Sequence, residues 1–349
     1  FWHLANALVE KAFYSGTGAF VLKVDGMKLQ NETVIKSPDA KLRIEYLSAH
    51  NIIPLTVRNG RIIEVAFVSE VYDKGKTYVY LETHELENGS YVIRNRYFNT
   101  TDGQLKETPL PEGILPVVKT GSNVPLFAIL TPNIVNNIPC SNGLGISVFA
   151  NAIDSLKGID LAFNNFCRDF LLGGKKVFYS NSLIRTTADG RKVTPDDVMQ
   201  SLFEFVGEPP IAENGQNQLM TEYNPTLRVT ENKEGLQSML DYFSFKVGFG
   251  TKHYQFNSGS VLTATQYMGD KQELIQNAAK HYIIVEQALQ RLIRAILWAG
   301  KEILGLPVNP DAKVTVNFED SYIIDKESER IRAMQEVSAG LMPAWEYRM

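Results

Sequence analysis

Apolar residues recur at helical spacing over Phe1 to Phe13, where Trp2, Leu4, Ala5, Leu8, Val9, Ala12 and Phe13 share one side and Gly16 and Gly18 end the pattern. A short amphipathic helix is expected. From Ala19 to Phe98 the period falls to two, through AFVLKVDGMKL, LRIEYL, RIIEVAFVSEVY, TYVYLETHEL and SYVIRNRYF, all rich in β-branched and aromatic residues. Asp25-Gly26, Asn59-Gly60 and Asn88-Gly89 separate these runs, and such pairs favour tight hairpin turns because both central residues need positive φ. The pattern predicts an antiparallel meander.

Residues 100–144 carry prolines at 109, 111, 116, 125, 132 and 139 with little periodicity, which reads as an irregular connector. Beyond Gly145, the residues Phe149, Ile153, Leu156, Phe163, Cys167 and Phe170 follow a heptad-like spacing, with Asp160 where the repeat would be filled; they predict a helix of about seven turns. Its other side carries Ser147, Asn151, Asp154, Gly158, Asn165 and Arg168. Gly173-Gly174 stops the helix, KKVFYSNSLIR looks like a strand, Asp189-Gly190 makes a turn, and Thr194-Pro195 starts a helix through VMQSLFEF. Glu208 to Gln218 reads as irregular. Helical spacing resumes from Lys233 to Phe249, so two helices flank one small α/β insert.

The stretch from Gly250 to Gly300 joins a Gly/Ser/Thr-rich loop, GTKHYQFNSGSVLTATQYMG, to a helix of about thirty residues. Asp270 and Glu273 form a capping pattern that places the helix start there. Ile275, Ala278, Tyr282, Val285, Leu289, Leu292 and Ile296 form its buried stripe. After Pro307 and Pro310, KVTVNFED alternates as a strand and DKESERIRAMQEVSAGL reads as a helix.

Composition narrows the function. At 349 residues the chain exceeds a single core, so two or more compact units are expected. A net charge of −4 argues against a broad basic surface gripping nucleic acid, so any DNA contact would be loose or local. Cys140 and Cys167 lack metal spacing and a disulfide framework; they read as buried or loop thiols of a reducing compartment. Charge interrupts every long apolar run, so no membrane span is expected. The chain starts at Phe1 and ends at Met349 within a helical-looking pattern, so both ends read as trimmed.

Enzymatic motifs are nearly missing, and neither a cofactor nor a metal is expected. His84-Glu85 has no second histidine one turn later and lies in a strand, so it reads as a surface pair. Gly143-Leu144-Gly145 and Gly173-Gly174-Lys175-Lys176 lack the full phosphate-cradling spacing. A hydrolase would need a cleft gathering His84, Glu85 and distant acids. The loop residues Lys252, His253, Tyr254, Gln255, Asn257, Ser258, Thr263 and Gln266 could touch a phosphate backbone without reading sequence, or form a plain surface loop. Lys175, Lys176, Arg185, Arg191 and Lys192 make the insert locally basic.

The order of elements, together with SGTGAFVLKVDG, LRIEYLSAHNIIPL, GISVFANAIDSLKGIDLAFNNFCRDFLLGGKKVFYSN and VNFEDSYIIDKESERIRAMQEVSAGL, resembles the portal (head-to-tail connector) proteins of tailed bacteriophages, the siphophage group in particular. The resemblance spans essentially the whole chain and implies an α+β fold. By it, residues 1–144 with 306–349 form a β-rich wing, 145–172 and 233–249 the stem helices, 173–232 the clip, 250–269 the tunnel loop and 270–305 a helix towards the crown. The family's N-terminal arm and longer C-terminal region have no counterpart here.

The resemblance further implies a ring, usually of twelve subunits, at one capsid vertex of the virion, assembled in the host cytoplasm. Double-stranded DNA passes through its axis in packaging and ejection, and the ring meets terminase, head-tail adaptors, the major capsid protein and scaffold. The eight loop residues named above become channel candidates. Asn151, Asp154, Gly158, Asn165 and Arg168 become candidates for the tunnel or inter-subunit face, and the five basic residues of the insert for partner binding. The apolar face from Phe149 to Phe170 would pack within the subunit or against neighbouring stems. A sliding channel should avoid many neutralised phosphates, each of which adds affinity through counterion release. The alternative is another virion structural or adhesion protein with a β-rich binding face and no channel.

Overall fold

The computed structural model describes residues 1–73, 75–101, 104–138, 143–179, 185–193, 203–205, 220–251, 253–254, 264–318 and 326–340. In chain order these give α1 (Trp2–Ser15), β1 (Gly18–Asp25), β2 (Lys28–Gln30), β3 (Thr33–Ile35), β4 (Lys41–Ser48), β5 (Ile52–Arg58), β6 (Arg61–Asp73), β7 (Lys76–Glu87), β8 (Ser90–Thr101), β9 (Gln104–Thr108), β10 (Val117–Lys119) and β11 (Phe127–Leu130). There follow α2 (Ile153–Leu172), β12 (Lys176–Tyr179), β13 (Arg185–Thr186), β14 (Lys192–Val193), β15 (Phe203–Phe205), β16 (Met220–Tyr223), α3 (Val229–Val247), α4 (Ala264–Glu302) and α5 (Lys326–Ser338). Strands and helices are largely segregated along the chain, which makes the fold α+β. The chain forms two compact units, Phe1–Asn151 with Val247–Phe249 and Ser260–Met349, and Ala152–Lys246 with Gly250–Gly259.

The first unit holds two sheets, one ordered β11-β1-β4 and the other β2-β3-β10-β8-β7-β6-β5, with β9 beside β8. Of the meander expected over Ala19 to Phe98, β5 to β8 pair consecutively and antiparallel, and β9 extends the run past the expected end. Asn59-Gly60 and Asn88-Gly89 close its two-residue hairpins with positive φ at all four residues. Asp25-Gly26 does not make a hairpin: β1 pairs with β4 and β11, and the turn hands the chain to the other sheet. A hairpin with no glycine, Asn31-Glu32, joins β2 to β3 instead.

Strand β1 is buried on both faces. Ala19 and Val21 pack with Val65, Phe67, Tyr91 and Phe127 towards the larger sheet. Phe20 packs on the other side with Ala5, Leu8 and Ala12 of α1 and Ala288, Leu289 and Leu292 of α4. Leu22 extends this second face to Ala295, Trp298, Ala299 and Ile303. The smaller sheet is thus a middle layer between helices and the larger sheet, which explains its run of apolar residues without alternation.

Several expectations are corrected. The supposed connector over 100–144 contains the end of β8 and all of β9, β10 and β11, because its prolines sit at strand ends and bound the strands without entering them. The predicted strand KVTVNFED is no strand over 313–318. There alternate residues pack on α4: Val316 joins the core, Phe318 stacks on Tyr282 at 4.7 Å, and Gln290 Nε2 donates to the Val314 carbonyl at 3.2 Å. A helix can impose a period of two on an extended segment as well as a sheet can. Helix α4 begins at Ala264, so Asp270 lies inside it; a capping pattern worth about 1 kcal/mol does not stop a helix whose upstream residues favour it. Its buried side also includes His281, Ala288, Ala295, Trp298 and Ala299, which the predicted stripe omitted.

His281 anchors the segment after β11 to α4. Its Nδ1 accepts the Asn133 backbone N–H at 3.1 Å, while Asn133 Nδ2 donates to the Lys280 carbonyl at 2.8 Å. Burial, with the Lys280 charge adding to it, pulls the His281 pKa down to about 4, as suits a neutral acceptor.

Gly16 ends α1 at φ 92°, and a Cβ there would lie 2.7 Å from the Gly145 carbonyl oxygen. Gly60 has a similar left-handed φ of 71° but open space around it. Gly16→Ala should therefore lower unfolding stability by on the order of 2–3 kcal/mol, against about 1 kcal/mol for Gly60→Ala, in denaturant titrations. Equal losses would show that the close backbone approach is not energetically important.

Candidate functional site

In the second unit, β15-β12-β16 form a three-stranded sheet, with β12 and β15 parallel, and β13-β14 form a small hairpin around Gly190. Residues 203–205 are thus a strand, not the end of the expected helix, since a short aromatic segment is readily captured at a sheet edge. The rest of that helix, residues 194–202, and the irregular stretch 208–218 lie outside the described residues.

Helix α2 starts at Ile153, later than its spacing suggested, after a 3₁₀ turn over Ala150–Ala152. Its half-buried residues Ser155, Ile159, Ala162, Phe166 and Asp169 share one face. That face turns towards α3. Asp169 accepts from Arg228 at 2.7 and 3.1 Å and from Asn232 at 2.7 Å, and a Cβ on Gly158 would stand 3.7 Å from Met239 Sδ. Hydrogen bonds from Arg228 and Asn232 hold the Asp169 carboxyl below its usual range.

Of the heptad-spaced face, Phe149 and Leu156 are half-buried and the other four residues are exposed. Ile153, Phe163 and Phe170 are 46%, 54% and 49% exposed, and Cys167 is exposed, not the buried or loop thiol expected. Spacing alone cannot tell an apolar face covered by its own chain from one left open. Of the polar residues expected opposite, Asn151 is exposed in the 3₁₀ turn, Asp154, Asn165 and Arg168 are exposed on α2, and Gly158 borders α3.

Among the loop candidates, Lys252, Gln255, Asn257, Ser258 and Thr263 lie outside the described residues, and Gln266 sits in the first turns of α4. Tyr254 is held against α3: its ring stacks on Phe243 at 6.4 Å, its carbonyl accepts from Gln237 Nε2 at 2.5 Å, and His253 meets it edge-on at 4.6 Å. Of the basic residues in the insert, Lys175 pairs with Glu222 at 2.8 Å, Lys176 opens β12, Arg185 and Lys192 lie in the β13-β14 hairpin, and Arg191 is exposed in its turn.

The first unit contains a buried polar chain that sequence reading missed. Glu82 and His84, alternate residues of β7, are 3% and 0% exposed. Glu82 pairs with Lys23, accepts from His84 Nε2 at 2.7 Å, and lies 2.8 Å from the Tyr80 hydroxyl, which is also 2.7 Å from Asn95 Oδ1. Desolvation would raise the Glu82 carboxyl, but the His84 hydrogen bond and the Lys23 charge outweigh it and hold it far below the usual range. Lys23, Tyr80, Glu82 and Asn95 line a cavity of about 300 Å³ with Leu22 and Val118.

His84 is therefore no surface residue. Glu85 projects from the opposite face of β7 and pairs with Arg94 at 3.1 Å, so the two do not converge as a hydrolase would need. The missed signal was the alternation Tyr80, Glu82, His84, Leu86, which places polar residues on the face that should be apolar.

Compared with known families, the chain matches the model described as phage portal protein, SPP1 Gp6-like, over residues 1–347. It belongs to that family: it is a tailed-phage portal protein, a head-tail connector of the virion, of a structural class. No curated protein matches it. Among the described residues, no helix is long and apolar enough to cross a membrane.

Glu82→Gln leaves Lys23 buried with Glu45, 3.6 Å away, as its remaining carboxylate. Stability should fall by about 3 kcal/mol in equilibrium denaturation, and adding Lys23→Met should restore most of the loss, because neither charge is then left alone. A double variant as weak as Glu82→Gln would show that the charge pair is not the cause.

Proposed function

We propose that this chain is the subunit of a closed portal ring, usually twelve copies, at one capsid vertex, with DNA passing through its axis in packaging and ejection. The proposal is supported by the family match over 1–347 and carried by the apolar face of α2, where Ile153, Phe163 and Phe170 are exposed among the described residues. An exposed apolar face on a monomer calls for a partner. In this reading 1–144 with 306–349 form the wing, 145–172 and 233–249 the stem, 173–232 the clip, 250–269 the tunnel loop together with the first turns of α4, and the rest of α4 the crown-directed helix. The clip meets terminase and later the head-tail adaptors, and the outer ring meets capsid and scaffold proteins.

The low charge of the loop suits a sliding contact. Its only charged side chain besides His253 is Lys252, so each subunit offers DNA little counterion release and passage stays fast. Deleting residues 252–263, ahead of α4, should leave particles that assemble normally yet hold little DNA, counted as filled against empty heads. Normal packaging by the deleted protein would contradict the channel role and favour a virion protein without one.

A further inference from the structure

The second unit carries two different open surfaces on opposite flanks of α2. One is the apolar seam of Ile153, Phe163, Cys167 and Phe170. The other is a groove of about 420 Å³ between α2 and α3, lined by Ser155, Gly158, Gly235, Ser238, Met239 and Tyr242, with Asp154 and Lys246 at its border. At about 3.6 residues per turn, the seam and the groove lie on different sides of the face that α2 turns to α3. One surface offers large side chains, and the other sets the small residues Ser155, Gly158, Gly235 and Ser238 beside Met239 and Tyr242.

We infer that the α2 seam of one copy seats in the α2–α3 groove of the next, a head-to-tail contact that repeats around the ring; this rests on the portal reading above. Helices α2 and α3 run antiparallel, because Asp169 near the end of α2 meets Arg228 and Asn232 at the start of α3 while Gly158 borders Met239. Neighbours in a ring of about twelve copies differ by a rotation of only about 30°, so a neighbour's α3 also runs roughly antiparallel to the seam.

In this alignment the two spacings match. Phe170 falls opposite Gly235, Cys167 opposite Ser238 and Met239, Phe163 opposite Tyr242, and Asp160 opposite Lys246. Aromatic knobs meet a glycine and a serine-lined floor, or another ring. The charges agree as well: Asp160 is the acid in the middle of the seam, and Lys246, lying over the Tyr242 ring at 4.9 Å, is the base at the groove. Among the described residues neither has an ion-pair partner within its own chain. Seam and groove lie on opposite flanks of α2, so one neighbour can take the seam while another fills the groove, and the contact propagates until a ring closes.

Charge reversal tests this. Asp160 and Lys246 are both exposed, so Asp160→Lys and Lys246→Glu should fold normally by circular dichroism. Each variant alone should need at least about tenfold more protein to form rings in mass photometry, because like charges then face each other at every contact. A one-to-one mixture of the two should assemble almost as well as the original chain, since every contact in an alternating ring again joins opposite charges. Variants that each assemble like the original chain, or a mixture that fails to recover, would overturn the seam-and-groove pairing while leaving the ring itself standing. An original chain that never assembles would overturn both.

A second arm does not depend on charge. In a Cys140→Ser background, Ser238→Cys with the native Cys167 should give a ladder of covalent multimers with a short bismaleimide. Cross-linking that stops at dimers, or that needs Cys167 alone, would mean a symmetric contact and sink the proposal.

Discussion

Burial of β1 on both faces is the constraint on which the first unit depends. Ala19 and Val21 face the larger sheet, while Phe20 and Leu22 face α1 and α4, so one eight-residue strand joins three layers. No alternating strand could do this, because every second side chain would be polar. The single charged residue in its middle, Lys23, meets Glu82 of β7, and Glu82 is satisfied in turn by His84 and Tyr80. A buried ion pair of this kind adds little net stability, but breaking it leaves a charge without water. It fixes how the two sheets face each other more than how strongly they adhere.

The long helix α4 inherits its position from the same strand. Ala288, Leu289 and Leu292 meet Phe20, and Ala295, Trp298 and Ala299 meet Leu22, so small residues bring the helix close and Trp298 fills the space beyond. Upstream, His281 and Asn277 tie α4 to the segment after β11 and to the Val247 carbonyl. The helix so held runs over 39 residues.

Much of the fold was legible because local periodicity and turn chemistry report local structure. Helix α1, the meander from β5 to β8 and the hairpins at Asn59-Gly60 and Asn88-Gly89 follow from such patterns alone. Where tertiary partners decide, the same signals mislead. The alternation over 313–318 reflects packing on α4 and not a sheet, and Asp25-Gly26 makes a turn between sheets. The prolines over 109–132 mark strand ends. His84 looked superficial because a histidine beside a glutamate in sequence says nothing about Lys23, fifty-nine residues before Glu82.

The candidate surfaces were legible to a lesser degree. The heptad face of α2 was visible in its spacing, but only the fold reveals that α3 takes the neighbouring face and leaves Phe163 and Phe170 open. In the proposed reading that openness makes the helix an assembly surface, and membership of the portal family suggests an occupant of the same kind. The most direct measurement is an image of the purified protein by electron microscopy at a concentration where it associates. Closed rings of about a dozen copies, with α2 and α3 packed between neighbours around the axis, are the predicted result. Monomers alone, or two-fold dimers joined through the α2 seams, would contradict it.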